Sequence, residues 1–169
     1  MPRAWMGLAL AAGVYALDRV TKLWIDAQVS LYETHEVIPG FFNIVHSENR
    51  GMAFGLGNDG ATWLTRLVLI GVSLIVLGVL AYGVWQGRHG QSNDLWALFL
   101  VAGGAAGNLY DRLLRGSVTD FFDIYFGSYH WPTFNVADMA ITVGALLLAF
   151  HTLRNERRGK PERGKPVTA

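Results

Sequence analysis

The chain has 169 residues, a formal net charge of +1 and no cysteine, with 16% charged residues against 51% hydrophobic ones. Soluble domains average about 25% charged residues, so this chain is short of groups to coat a water-facing surface, and six Trp and nine Phe exceed what one small core absorbs. Membrane residence is the economical explanation, and the missing cysteines exclude disulfides, thiolate nucleophiles and Cys-ligated metals.

The first apolar run, residues 4–25, is long enough to cross about 30 Å of hydrocarbon as a helix. Arg3 and the small-residue stretch near Val14-Tyr15-Ala16 also fit a secretory signal. The return of apolar residues at Leu23, Trp24 and Ile25, beyond Asp18, favours a retained span. Residues 26–63 are too many for a bare connection and predict a small folded unit. Within them Thr34 to Ser47 reads as a β-hairpin turning at Pro39-Gly40. The second run, residues 64–85, has Arg66 near its start and no further charge, and predicts a packing helix. The third, residues 95–114, carries Gly103, Ala105, Ala106 and Gly107, small residues that let helix backbones approach closely in a bilayer. Residues 115–133 read as a polar connection holding Asp120 and Asp123. The fourth run, residues 134–153, starts just after Pro132, with Asn135 available as its cap.

The basic residues set the expected orientation. Arg3, Arg88 and the tail residues Arg154, Arg157, Arg158, Lys160, Arg163 and Lys165 contrast with residues 26–63, where Arg50 faces Asp26, Glu33, Glu36, Glu48 and Asp59. The positive-inside rule then puts both termini in the cytoplasm and residues 26–63 and 115–133 outside. The fold class expected is membrane α-helical: one domain over residues 1–155 with four transmembrane helices, followed by a basic, disordered tail over residues 156–169. That tail reads as topological, with no nucleic-acid role. In this arrangement Asp18, Arg19 and Lys22, then Asn108, Asp111 and Arg112, then Asn135 and Asp138 all fall toward the outer face. One outward-opening site is expected rather than a conduction path.

Carboxylates beside hydrocarbon lose hydration, so those that persist usually have a function. No H-E-x-x-H, G-x-S-x-G, P-loop or dinucleotide fingerprint occurs, so neither a metal nor a cofactor is expected. Asp120 follows the third run and Asp138 sits in the first turn of the fourth, three residues after Asn135, where a helix N-terminus favours an anion. Two carboxyl groups brought close share a proton, so one can act as base and the other as acid on a water that attacks an amide. The plain alternative makes Asp138 a helix cap. Asp123 reads as a solvated loop acid, His130 beside Trp131 as an interfacial residue, Asp111 with Arg112 and Arg115 as a structural charge network, and Asp18 with Lys22 as a neutralising pair at i and i+4. Two rivals stay open on residues alone: a transporter using intramembrane carboxylates, and a Mg²⁺ site built from Asp120, Asp123 and Asp138.

Five segments in order resemble the boxes of the bacterial lipoprotein signal peptidases, also called type II signal peptidases. They are Asp18-Arg19-Val20-Thr21-Lys22, Asn49-Arg50-Gly51-Met52-Ala53-Phe54, the stretch from Gly103-Gly104 to Asp111-Arg112, Val118-Thr119-Asp120-Phe121, and Phe134-Asn135-Val136-Ala137-Asp138. Arg19 departs from the family's usual Gln. The resemblance implies an intramembrane aspartyl endopeptidase of the bacterial inner membrane, with its active site at the periplasmic face. Its implied substrates are prolipoproteins, cut before a cysteine that carries a diacylglyceryl group. It implies Asp120 and Asp138 as catalytic, with Asp18, Lys22, Asn49, Gly51, Asn108, Arg112, Asn135 and Ala137 supporting them or the substrate. It also implies a β-sheet cradle and a short surface helix from the first outer loop, membrane lipids as surroundings, and a monomer.

Overall fold

A computed structural model describes residues 2–51, 63–87 and 95–159. Among these, four long helices and four strands occur in the order α1 (Pro2–Gln28), β1 (Thr34–Ile38), β2 (Phe42–Asn49), α2 (Trp63–Gly87), α3 (Leu95–Leu114), β3 (Val118–Phe126), β4 (Tyr129–His130) and α4 (Val136–Gly159). The third helix matches its expected bounds, α1 and α2 extend their apolar runs by a few residues at both ends, and α4 starts two residues later than its run and ends six residues beyond it. Residues 52–62, where the surface helix and the Met52-Ala53-Phe54 part of the second box would fall, lie outside the described residues, as does the tail from residue 160.

The centre of the bundle is α3, which packs against α1, α2 and α4. Its glycines are the reason. A Cβ on Gly103 would lie 2.6 Å from the Ala11 carbonyl oxygen, one on Gly104 would strike the Ala137 carbonyl oxygen, and one on Gly107 would lie 2.5 Å from Asp18 Oδ2. Hydrogen atoms at these positions let α1 and α4 close on α3 at backbone distance.

The outside of the bundle is apolar. Trp24 on α1, Ile75 and Val79 on α2, and Leu146 and Phe150 on α4 are all more than half exposed. Such a surface is costly in water and suits a hydrocarbon surround. By length and composition two helical stretches among the described residues, Trp63–Gly83 and Val136–Asn155, are apolar enough to cross a membrane. The other two helices carry the buried charges Asp18, Lys22 and Asp111, which lower their apolarity.

The hairpin expected around Pro39-Gly40 is present: β1 and β2 pair antiparallel, and Gly40 turns with a φ of 76°. The sheet is larger than expected. Residues 115–133 form β3 and β4, giving one antiparallel sheet in the order β1-β2-β3-β4. The helix-to-strand switch occurs at Gly116, whose φ of 80° lets its N–H return to the Asp111 carbonyl. A one-residue bulge in β2 separates the pairs Ile44–Phe122 and Ser47–Asp120. Ile25 of α1 and Val29 just beyond its end bury Phe121 of β3, so the small core of the sheet sits where it meets the bundle.

Candidate active site

One return of the chain builds the site. After β4 the backbone runs back along β3, with Trp131 N–H donating to the Ile124 carbonyl and Phe134 exchanging bonds with Phe122. This carries Asn135 alongside Asp120 and starts α4 there. Asn135 is the cap the sequence predicts: its Oδ1 accepts the Asp138 N–H at 3.0 Å, and its own N–H donates to Asp138 Oδ2 at 3.2 Å. Reciprocal capping of this kind satisfies two helix-end donors at once. The cap reading of Asp138 is therefore met, and leaves its Oδ1 to accept from another residue.

Asn135 also donates Nδ2 to Asp120 Oδ1 at 2.6 Å, so a single residue holds both carboxyl groups. The second oxygen of Asp120 accepts from Asn49 Nδ2 at 3.0 Å, and Oδ1 of Asp138 accepts from Asn108 Nδ2 at 2.7 Å. Gly51 orients Asn49: its N–H donates to Asn49 Oδ1 at 2.9 Å, which turns the Nδ2 end toward Asp120. Its φ of 109° suits glycine, and a Cβ there would crowd Leu69 and Thr65 of α2. Gly51 thus reaches Asn49 through its backbone alone.

Asp120 is 1% exposed. Burial, and then the charge of nearby Asp138, push its carboxyl up to about 7, against the opposing donors of Asn49 and Asn135. Arg112, in the last turn of α3, lies within electrostatic reach of Asp138, Asp120 and Asp111.

Beneath this lies a buried ionic layer. Asp18 and Lys22 neutralise one another as their spacing suggests, at 2.8 Å, and Asp18 Oδ1 accepts the Ala137 N–H at 3.0 Å. Ala137, fully buried, serves as the meeting point of α1, α3 and α4.

Asp111 sits in a structural charge network as expected: its direct partners are Lys22 at 2.8 Å and Arg19, Arg112 and Arg115 lie within its electrostatic reach, and Arg115 pairs with Asp26 at 2.5 Å. One expectation is corrected. Asp123 is no solvated loop acid. It is buried in β3, bonded to Asn43 Nδ2 at 2.8 Å and to His130 Nδ1 at 2.9 Å, because odd spacing on a strand turns it to the sheet face opposite Asp120. His130 accordingly belongs to a sheet contact and stacks on Tyr125. Arg19 is the supporting residue that sequence reasoning left undefined. A count of buried charge, two aspartates against one lysine, would have called for a second cation.

The sequence profile described as Signal peptidase (SPase) II matches residues 10–154. The chain belongs to the signal peptidase II family. It is 46% identical over 155 residues to a lipoprotein signal peptidase of Solibacter usitatus, covering 91% of this chain and 94% of that protein. A lipoprotein signal peptidase of Geobacter sulfurreducens is 44% identical over 153 residues, covering 90% and 94%. A bacterial membrane enzyme solved by the in meso method at 2.3 Å resolution superposes with a TM-score of 0.77 at 30% identity, covering 95% of this chain and 94% of the other. Membership in the signal peptidase II family implies a peptidase that hydrolyses prolipoprotein signal peptides, and the structural neighbour agrees with a membrane enzyme.

Proposed function

We propose that this signal peptidase II is an intramembrane aspartyl endopeptidase in which Asp120 and Asp138 form the catalytic pair. Its substrates are prolipoproteins bearing a diacylglyceryl cysteine, and the bond cut is the one before that cysteine. The observation that carries this reading is Asn135, which joins Asp120 through its side chain and Asp138 through its backbone at the end of the bundle where the sheet begins.

The environments of the two carboxyls divide the work. Asp138, at a helix N-terminus with donors from Asn108 and Asn135, is the ionised base. Asp120, desolvated beside that charge, keeps its proton to about 7 and is the acid. A water between them loses a proton to Asp138 as its oxygen attacks the scissile carbonyl, which Asp120 polarises through its O–H. Collapse of the tetrahedral intermediate returns a proton to the departing amine. Arg112 offsets the negative charge of the pair. Asp18, Lys22, Asn49, Gly51 and Ala137 hold the groups that act. The protein is a monomer of the bacterial inner membrane, with four spans, both termini cytoplasmic and the dyad at the periplasmic face. A lipid-anchored substrate reaches it sideways from the bilayer.

Purified protein incubated with a diacylglyceryl prolipoprotein in excess chelator tests this. Cleavage should persist, and Asp120→Asn or Asp138→Asn should each abolish it while leaving the protein folded. Normal cleavage by either variant would sink the pair, and loss of activity in chelator would favour a metal site.

A further inference from the structure

The proposed pair rests on a layer of buried charge that takes no part in the chemistry. Lys22 is fully buried, a placement that is costly unless each proton finds an acceptor. Its Nζ lies 2.8 Å from Asp18 Oδ2 and 2.8 Å from Asp111 Oδ2, and donates to Asn108 Oδ1 at 3.0 Å. An ammonium has protons and no lone pair, so the atom of Asn108 that faces it is the carbonyl oxygen. Asn135 Nδ2 donates to that same oxygen at 3.2 Å. Two donors thereby fix the amide one way round, with its Nδ2 aimed at Asp138 Oδ1. A reversed amide would set an oxygen against the carboxylate and an NH₂ group against the ammonium.

The layer must also balance. Asp18 and Asp111 bring two negative charges, and Lys22 supplies one positive. The fourth member is Arg19, which donates to Asp111 Oδ1 and lies 4.4 Å from the centre of the Tyr110 ring. Without it, Asp111 would lose a direct cationic partner and Lys22 would be drawn toward Asp111.

Taking Asp138 as catalytic, we infer that Lys22 is a positioning residue for it, acting through the locked amide of Asn108, and that Arg19 keeps Lys22 in place by neutralising Asp111.

The test uses the purified full chain and a diacylglyceryl prolipoprotein. Lys22→Met should retain KM and lower kcat by about 10²-fold, the scale of a small misplacement of a reacting group. Arg19→Gln should lower kcat the same way by less, again with KM retained. A fall in melting temperature in either variant with kcat unchanged overturns the inference, because charge pairing that merely holds the fold together gives that result. If Lys22→Met does not fold, Arg19→Gln decides alone. Normal cleavage by Asp120→Asn and Asp138→Asn in the same assay would overturn the catalytic pair itself, which keeps the two failures separable.

Discussion

Asp120 carries two opposed influences, and their balance is open to measurement. Burial and Asp138 hold the proton on, while the donors from Asn49 and Asn135 favour the ionised form. If the protonated form is the working acid, kcat/KM falls as pH rises through about 7. Removing a donor from the carboxylate favours the protonated form further, so Asn49→Ala should move this basic limb to higher pH. The pH dependence of kcat/KM checks it, and a limb that stays put or moves down would remove Asp120 from the acid role. Asp123 supplies the contrast. Its oxygens are taken by Asn43 and His130 on the other sheet face, so Asp123→Asn should keep most activity and lose about 1 kcal/mol of stability, read as cleavage rate beside thermal unfolding. A variant as inactive as Asp120→Asn would reassign the acid. The sequence alone singled out Asp120 and Asp138, because each adjoins an apolar run. It misread Asp123, since the face of a strand cannot be known until the strand itself is recognised.

The elements divide by how local their signals are. Apolar runs and the Pro39-Gly40 turn are local, and helices α1 to α4 and the first hairpin were legible from them. β3 was missed because its two aspartates gave Val118–Phe126 the look of a polar link, although Val118, Thr119, Ile124 and the aromatics around them are good strand formers. What ties β3 down is distant in sequence: Phe121 against Ile25 and Val29, and β2 alongside. The glycines of α3 could be read as packing residues, and the structure says what they pack against. Gly107 faces Asp18, which is already held by Lys22 and the Ala137 N–H. Gly107→Ala should therefore cost about 1–3 kcal/mol through overpacking and lower activity by displacing Asp18 from the start of α4. Gly78→Ala on α2, where an added Cβ meets nothing within 4 Å, should be neutral or should gain up to about 1 kcal/mol from helix propensity. Thermal unfolding of the two variants compares them directly, and equal effects would mean that the fit of α3 against Asp18 is looser than these distances require.

At the scale of the whole molecule, polar residues gather at one end of an apolar bundle, and the sheet stands on that end. Asp18 and Lys22 come from the later part of α1, Asn108 and Asp111 from the later part of α3, and Asn135 and Asp138 from the start of α4. Alternating helix directions bring all three to one level, while the far ends of the helices lead to the basic segments at Arg3, Arg88 and the tail. Lys and Arg near the ends of spans resist translocation, so the sheet end should face outward. The chain has no cysteine, which makes the orientation directly measurable by single-cysteine labelling. Thr34→Cys, in exposed β1, should react with a membrane-impermeant maleimide in intact spheroplasts. Lys165→Cys in the tail should react only after permeabilisation. Labelling of both sites in intact spheroplasts would break the paired cytoplasmic termini, and labelling of Lys165→Cys alone would invert the protein. The inverted result would move the pair away from the face where a lipid-anchored precursor presents its cleavage site, and the peptidase reading would then need a different route for its substrate.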